Sequence, residues 1–572
     1  MRINLIGNFN TKGLIQDSQL LRGLLSHFYG EDLKICRVQH MLPECPQAEL
    51  NIFLEVINPA LFIYASKNIY LPNIEWTYKT WIPYLKEFDE IWVKTKEAEE
   101  IFLKYSENVK FIGWTSIDKE FKEKKNYYKA IVLVGKNIYR NPKPLLKSYF
   151  DILKEDPTLY KLLPILHIPY LPNEVEFFVP DEISSKVILH NTILSEKEYD
   201  ELLHDCGLAI CISACEGYCH CVNEAMAAGC NLILSPIQPF KELTLENKSV
   251  LWTSSLNIID HPDCLGSLVD TNSKSIKSLL EQYISRSMTI KKQISLDMRK
   301  IYEDRHSNFI QSFLGNLQKD IPEYSLDKTL PPESDLPDIS IITLTYNRRV
   351  FMPLAQYSYL IQSYPEDKLE WIIVDDGTEE IEDTLIGIPN VKYIKLNEKT
   401  SIGKKRNIGI ENATYDYICM MDDDDVYPNN SILQRIIMLQ KEPIKQCVFC
   451  TTIPCYDIEK YSSFMNVPPI TLEMSQRVSE ATFCFTKQFW EERKFNDDIN
   501  VAEGETFIHG REHMCREISP QEVIVSLIHS KNTSSRKIPN IEEANGCHYG
   551  FNEKLFAVVS EIGESLKAHL AK

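Results

Sequence analysis

The sequence predicts an α/β protein of more than one domain, built largely from parallel sheets. Three observations predict it. Short β-branched runs (RINLIG, LNIFLEVI, EIWVKT, VKFIGW, AIVLVG, LAICIS, NLILSP) alternate with amphipathic stretches of helical length, the pattern of βαβ units. A proline- and acid-rich segment, DIPEYSLDKTLPPESDLPD, follows a long helical region with few breakers and reads as an inter-domain linker at 321–336. The alternation then restarts in ISIITLTYN, EWIIVDD and DYICMMDD, each run ending in polar residues.

The bulk numbers agree. A chain of 572 residues exceeds what one core holds, so roughly two to four domains are expected. Apolar residues make up 44% of it, enough to build packed cores rather than a disordered chain. The net charge of −19 repels phosphate backbones and anionic lipid, which disfavours nucleic acid and membrane surfaces as partners. An anionic substrate would therefore need a local cationic pocket or a bound metal. There is no apolar run of spanning length and no signal-peptide pattern in MRINLIGNFNTKG. The 16 cysteines are scattered without a small-scaffold framework and read as reduced thiols, so a soluble, cytoplasmic protein is expected.

The region from 337 to 572 carries the first chemical signal. Three strand ends bear polar residues: TYNRR at 345–349, VDDGTEE at 374–380 and DDDD at 422–425. In an open α/β sheet, ligands bind at the carboxyl ends of strands, so these segments can share one crevice. Four adjacent aspartates repel one another and call for a counter-ion. Side chains alternate along an extended segment, so Asp422 and Asp424 can face one cation, and carboxylate oxygens suit Mg²⁺ or Mn²⁺. No EF-hand loop surrounds them. SIGKKRNIGIENA, between VDDG and DDDD, supplies positive charge through Lys404, Lys405 and Arg406.

Taken together, SIITLTYNRR, WIIVDDGTEE and SIGKKRNIGIENATYDYICMMDDDDVYP resemble the nucleotide-sugar core of glycosyltransferase family 2, a GT-A fold. The resemblance implies that Thr345 and Asn347 border the nucleotide pocket and that Asp375 and Asp376 lie near base and ribose. It places Arg406 and Asn407 in the family's RN segment, and Asp422 and Asp424 on the D-x-D that holds metal and donor diphosphate. Such transfer needs a base for the acceptor hydroxyl. The family takes it from a Glu-Asp doublet and inverts the anomeric carbon. Here VAEGETFIHGR at 501–511 has glycine at 504, which leaves Glu505, and after it Glu503, as the expected base. VSLIHSKNTSSRK at 525–537 resembles the late histidine loop of some relatives and makes His529 an expected third metal ligand.

In the first 320 residues the sharpest segment is LAICISACEGYCHCVNEAMAAGCNLILS at 208–235. Glu216 follows an apolar strand, and Glu224 lies in a small-residue helix, seven residues intervening. This resembles the E-x7-E signature of glycosyltransferase family 4, a retaining GT-B fold of two Rossmann-like lobes. The resemblance implies that Glu216 is catalytic and Glu224 holds the donor ribose. AIVLVGKNIYRNPKPLLKSYFDIL is similar to that family's phosphate-binding strand and loop, so Lys136, Arg140 and Lys143 would neutralise the donor phosphates without a metal. Cys219 stands where the family has its second glycine.

Other signals carry less. Cys206, Cys211, Cys215, Cys219 and Cys221 crowd one stretch, but without paired C-x2-C spacing they read as buried small hydrophobes rather than zinc ligands. HGREHMC is not H-E-x-x-H, and CVFC sits in a strand-like run.

The expectation is a bifunctional glycosyltransferase. An acceptor lobe spans 1–125, a donor lobe with a crossing-back helix 126–320, a linker 321–336 and a GT-A domain 337–572. A retaining, metal-free module and an inverting, Mn²⁺- or Mg²⁺-dependent module would use UDP- or GDP-sugar donors on a glycan, glycoprotein or glycolipid acceptor. Fused transferases of large DNA viruses and of bacterial polysaccharide clusters show a similar plan. Alternatives are a single active GT-A transferase whose first half binds or scaffolds glycan, and a sugar nucleotidyltransferase. TLTYNRR lacks the glycine-rich loop that a nucleotidyltransferase needs.

Overall fold

The computed structural model describes residues 1–9, 11–30, 32–42, 44–319, 321, 333–532 and 551–570. Residues 322–332 of the expected linker and 533–537 of the late histidine loop lie outside the described residues. The chain separates into two units. One comprises Met1–His40, Pro46–Ile57 and Ala65–Ser325; the other comprises Met41–Cys45, Asn58–Tyr64 and Leu326–Lys572.

Among the described residues the first unit holds two six-stranded sheets, each parallel throughout. In the first sheet β1 (Arg2–Gly7), β2 (Lys34–Gln39), β3 (Ala48–Leu54), β4 (Ala65–Leu71), β5 (Glu90–Val93) and β6 (Val109–Phe111) lie in the order β2-β1-β3-β4-β5-β6. The second comprises β7 (Asn126–Val132), β8 (Ile165–Pro169), β9 (Val187–His190), β10 (Cys206–Cys211), β11 (Asn231–Leu234) and β12 (Leu251–Trp252). Their order is β12-β11-β10-β7-β8-β9. The central strands are apolar on both faces because helices cover both, and β10 and β11 are buried along their whole length.

A 29-residue helix, Met288–Asn316, packs on both sheets. Its early turns meet the second sheet, where Asn231 Nδ2 donates to Lys291 O at 3.0 Å and Tyr127 bonds Ser295 at 2.9 Å. Its later turns meet the first sheet, where Phe309 sits edge-on to Trp114 and Phe313 to Trp92. The strands β13 (Ser255–Asp260) and β14 (Ser267–Thr271) form an antiparallel ribbon beside them.

The second unit is built on a mixed sheet. Its strands are β15 (Ile339–Thr345), β16 (Leu369–Asp375), β17 (Val391–Lys395), β18 (Tyr417–Met420) and β19 (Cys447–Phe449). After the outlying β20 (Ile453–Asp457) and β21 (Ser462–Asn466) come β22 (Cys484–Thr486), β23 (Cys515–Glu517) and β24 (Ser526–Ile528). Among the described residues the large sheet runs β17-β16-β15-β18-β22-β19-β23, with β22 antiparallel to both neighbours, and β21-β20-β24 form a small second sheet. The parallel register pairs Thr345 with Asp375 and Asp375 with Lys395, so the polar strand ends lie side by side. Buried Trp371 anchors this region, stacking on Tyr359 and donating Nε1–H to Thr343 Oγ1 at 2.8 Å. No helix among the described residues is long and apolar enough to cross a membrane.

Candidate functional site

In the second unit the strand ends enclose a cavity of about 450 Å³, within the range of small-molecule sites. Thr345, Asn347 and Arg348 line it from the end of β15, Asp422–Asp425 from the end of β18, and Lys405 and Arg406 from the helix Ile402–Glu411. Glu480 and Glu503 close another wall.

The loop after β15 is shaped by Asn347, which takes the left-handed conformation (φ 53°). Its Oδ1 accepts from the amides of Thr378 and Glu379 at 2.7 and 3.0 Å, locking the β15 loop to the β16 loop. A Cβ on Gly377 would stand 2.6 Å from Asn347 N, so the two loops approach this closely because residue 377 has no side chain.

The four aspartates divide their work. Asp425 Oδ1 accepts from Ser526 Oγ at 2.8 Å and Leu527 N at 3.0 Å, tying the run to β24. Asp423 is fully buried and accepts from Arg348 Nη1 at 2.8 Å; burial, with Asp424 beside it, pushes its carboxyl up to about 6 against the pull of Arg348. Burial also raises Asp424, but Arg348 at 2.6 Å and His529 at 3.2 Å outweigh it and hold the group down at about 2. Asp422 is the most exposed of them, its carboxylate 3.9 Å from Arg406, and burial still shifts it upward. Carboxylate oxygens of Asp422, Asp424 and Asp425 lie within 4.8 Å of one another. An all-oxygen donor set of this size suits a hard divalent cation. The buried His529 ring lies against Phe351 and bonds Asp424, one step behind that cluster.

Other expected residues are placed differently. Asp375 accepts from Gly377 N, Tyr393 Oη and Lys395 Nζ at 2.7 to 2.8 Å, and Asp376 pairs with Lys405 at 2.7 Å and accepts from Thr400 N. Both brace the loops and neither lines the cavity. Asn407 turns away from it, bonding Phe495 O, Asp497 and Trp490 Nε1 and so pinning the segment 490–497. Glu505 lies on the helix Glu503–Ile508, accepts from Gln476 Nε2 at 3.1 Å and does not line the cavity. Glu503 faces inward, with Oε1 2.7 Å from Arg406 Nε. The sequence reading missed Asp425 as a ligand candidate, the bridging role of Arg348, and Glu480. Arg348 stood visible in TYNRR, whereas Glu480 carries no local signature in SEATF.

In the first unit Glu216 is buried and fully engaged. It accepts from Arg140 Nε at 2.6 Å and Nη2 at 3.1 Å, from Ser213 Oγ at 2.9 Å and from Asn137 Nδ2 at 3.2 Å. Arg140 bonds Glu216 and Cys219, while Lys136 and Lys143 are exposed. Glu224 accepts from Gln16 Nε2 at 2.8 Å, and burial raises its carboxyl. Cys219 adopts φ 74°, the conformation a glycine takes most easily, at the start of the helix His220–Ala227. Around these residues lie further buried charges: Asp17 bound by Lys94 and His220 at 2.8 Å, and Glu55 and Glu75, raised by burial to about 7 and about 8. Sulfur atoms of Cys211, Cys219 and Cys221 also cluster within 4.8 Å.

The second unit thus presents an α/β sheet whose carboxyl ends converge on a carboxylate and arginine cavity. Residues 340–500 match the sequence family described as Glycosyl transferase family 2. An uncharacterized glycosyltransferase of Haemophilus influenzae is 36% identical over 112 residues, 18% of this chain and 44% of that protein. The uncharacterized glycosyltransferase RP339 of Rickettsia prowazekii is 30% identical over 133 residues, 23% of this chain and 41% of that protein. The chain spans less than half the length of the curated relatives it matches. Among solved structures, Staphylococcus aureus TarS 1–349 in complex with UDP-GlcNAc is 18% identical with a TM-score of 0.29, covering 34% of this chain and 60% of that one. The mannosyltransferase PcManGT of Pyrobaculum calidifontis, in complex with GDP-Man and Mn²⁺, is 17% identical with a TM-score of 0.28, covering 35% and 60%.

Proposed function

We propose that the second unit transfers a glycosyl group from a nucleoside diphosphate sugar, UDP- or GDP-linked, to a hydroxyl of a glycan, glycoprotein or glycolipid, with inversion. One observation carries this reading: the clustered oxygens of Asp422, Asp424 and Asp425 open on the same cavity as Arg348, Lys405 and Arg406. Such a site offers anionic ligands for Mn²⁺ or Mg²⁺ and cationic groups for a diphosphate, although the protein as a whole is acidic. Asp422 and Asp424, with Asp425, would hold the cation, and His529 orients Asp424 from behind. The cation supplies charge neutralisation for the departing diphosphate. Thr345 and Asn347 border the nucleotide, Asp375 and Asp376 stiffen the loops beside it, and Asn407 holds the wall behind Arg406.

For the first unit we propose a GT-B arrangement, an acceptor lobe over 1–125 and a donor lobe over 126–320, joined to the 337–572 domain by the segment 321–336. The two all-parallel sheets and the long helix that packs on both support it. The engagement of Glu216 by Arg140 and of Glu224 by Gln16 favours a second reading, in which this unit binds glycan without transferring sugar. Two variants of this chain test both proposals against a panel of nucleotide sugars. Asp424→Asn should abolish Mn²⁺-dependent donor turnover; undiminished turnover, or full activity in EDTA, defeats the metal-site reading. Glu216→Ala should remove a second, EDTA-resistant transfer; finding no such transfer in the unsubstituted protein favours the binding role.

A further inference from the structure

The proposed transfer needs a base, and the segment VAEGETF, which the sequence resemblance offers for it, has glycine at 504. The structure shows what fills the vacated space. A Cβ built on Gly504 would stand 2.9 Å from both Cγ and Oε1 of Glu480, and 2.8 Å from Val478 Cγ2. Glu480 comes from a different segment, the single turn Glu480–Thr482 that precedes β22. Its Oε1 accepts from the Gly504 amide at 3.1 Å, so its carboxylate lies where a short acidic side chain at 504 would have to go.

Among the described residues, the carboxylates lining the cavity are Asp422–Asp425, Glu480 and Glu503. The aspartates are tied to Arg348, His529 and β24 or grouped at the cation end. The Glu503 carboxylate is held by Arg406 at 2.7 Å, and a base neutralised by a buried guanidinium is a poor proton acceptor. Glu480 makes no ion pair as close as that among the described residues, is partly exposed and faces the cavity.

Resting on the glycosyl-transfer reading of this cavity, we infer that Glu480 is the general base, a carboxylate supplied by the turn Glu480–Thr482 rather than by the helix Glu503–Ile508. The acceptor oxygen forms its bond to the anomeric carbon as the bond from that carbon to the phosphate oxygen breaks. The hydroxyl proton passes to a Glu480 oxygen, and the bonding electron pair leaves with the nucleoside diphosphate. The surroundings suit the task. Burial first, then the negative Glu503 on the helix Glu503–Ile508, raise Glu480 to about 7, while Arg406 on the helix Ile402–Glu411 opposes them. A base near neutrality combines a useful deprotonated fraction with real proton affinity.

The test uses the full chain, a nucleotide sugar that it turns over, and Mn²⁺. Glu480→Gln keeps shape and removes basicity. It should lower kcat for transfer by about 10²–10⁴-fold, with UDP or GDP binding in Mn²⁺ changed less than about twofold, showing an intact site. Glu480→Ala should regain at least about tenfold of its lost rate in formate, which places a small carboxylate in the emptied space. The acid limb of kcat/KM, near pH 7 in the unsubstituted protein, should vanish from the Glu480→Gln residual rate. Transfer above half the original rate in Glu480→Gln, or a rate loss matched by lost nucleotide binding and no formate rescue, overturns the base assignment alone. No turnover of any nucleotide sugar by the unsubstituted protein defeats the transfer reading, and the base assignment falls with it.

Discussion

The hydroxyl of Tyr427 accepts the Asp422 amide at 2.8 Å and donates to Ala481 O at 2.9 Å. One buried phenol therefore joins the carboxylate loop after β18 to the turn that carries Glu480. Buried Arg435 reinforces the same joint, donating to Met420 O at 2.8 Å. The two halves of the proposed chemistry are positioned by one hydrogen-bonded strut.

Tyr427→Phe deletes that strut while filling the same volume. Two buried polar groups, an amide N–H and a carbonyl, then lose a partner, at roughly 1–3 kcal/mol of stability. For a unit of this size each kcal/mol shifts Tm by about 2–4 °C. Calorimetry should show a drop of about 2–12 °C, and transfer should fall further than stability alone explains because Asp422 and Glu480 are no longer held together. A Tm within about 1 °C of the original would show the strut to be unimportant.

Asp422 and Asp425 should separate under the same substitution. Asp425 spends one oxygen on Ser526 and Leu527 in the core of the site, so Asp425→Asn weakens two charge-assisted bonds. Bonds to charged groups contribute about 1.5–3 kcal/mol each, and the expected result is a Tm loss of several degrees even without metal. Asp422 keeps its side chain 30% exposed and lies 3.9 Å from Arg406. Asp422→Asn should leave Tm near its original value and weaken Mn²⁺ binding at least tenfold by titration. Equal Tm losses in the two variants would refute this division of labour.

The sequence made some of this visible and hid the rest for physical reasons. Strand runs such as ISIITLT and EWIIVDD are apolar on both faces, and the parallel sheet is written into them. TYNRR and DDDD pointed to a shared crevice because their strand ends lie side by side in a parallel register, whereas VDDG, on the next strand, braces the loop beside it. Side-chain direction was not legible: Glu503 and Glu505 sit two residues apart on one helix, and 3.6 residues per turn sends one into the cavity and the other out. Glu480 was invisible because its meaning depends on contact with Gly504, 24 residues away. In the first unit the E-x7-E spacing is readable, but the pairing of Glu216 with Arg140 is tertiary and no local pattern encodes it.

That pairing gives a third prediction. Arg140 and Glu216 are both largely buried, and breaking such a pair costs about 3–5 kcal/mol, since the remaining charge has no counterpart. Glu216→Ala and Arg140→Ala should each lower the Tm of the first unit strongly, while the double substitution costs much less than their sum. A double-mutant cycle on thermal unfolding measures the coupling. Strict additivity would mean that the two groups do not stabilise one another, and Arg140 would then be available to a ligand.

The last prediction concerns pH and Glu75. Its carboxyl is buried beside Glu216 and Glu55, and a side chain on Gly217 would collide with its Oε2. Burial first, then the charge of Glu216 and, as it ionises near pH 7, that of Glu55, raise it from 4.5 to about 8. In the folded protein at pH 6 it keeps its proton, whereas in the unfolded chain it has lost it. The folded state therefore binds more protons between the two values, and stability must fall as pH rises through that window. The contribution is fully present below about pH 4.5 and is gone above about pH 8. Glu75→Gln keeps a neutral, hydrogen-bonding side chain at every pH and should flatten the decline. The Tm difference between this variant and the unsubstituted protein, followed in the transition that Glu216→Ala also shifts, should grow steadily from pH 5 to pH 8. A difference that stays constant across that range would mean that Glu75 is ionised in the fold, with Lys94 and Arg140 rather than a bound proton balancing the cluster.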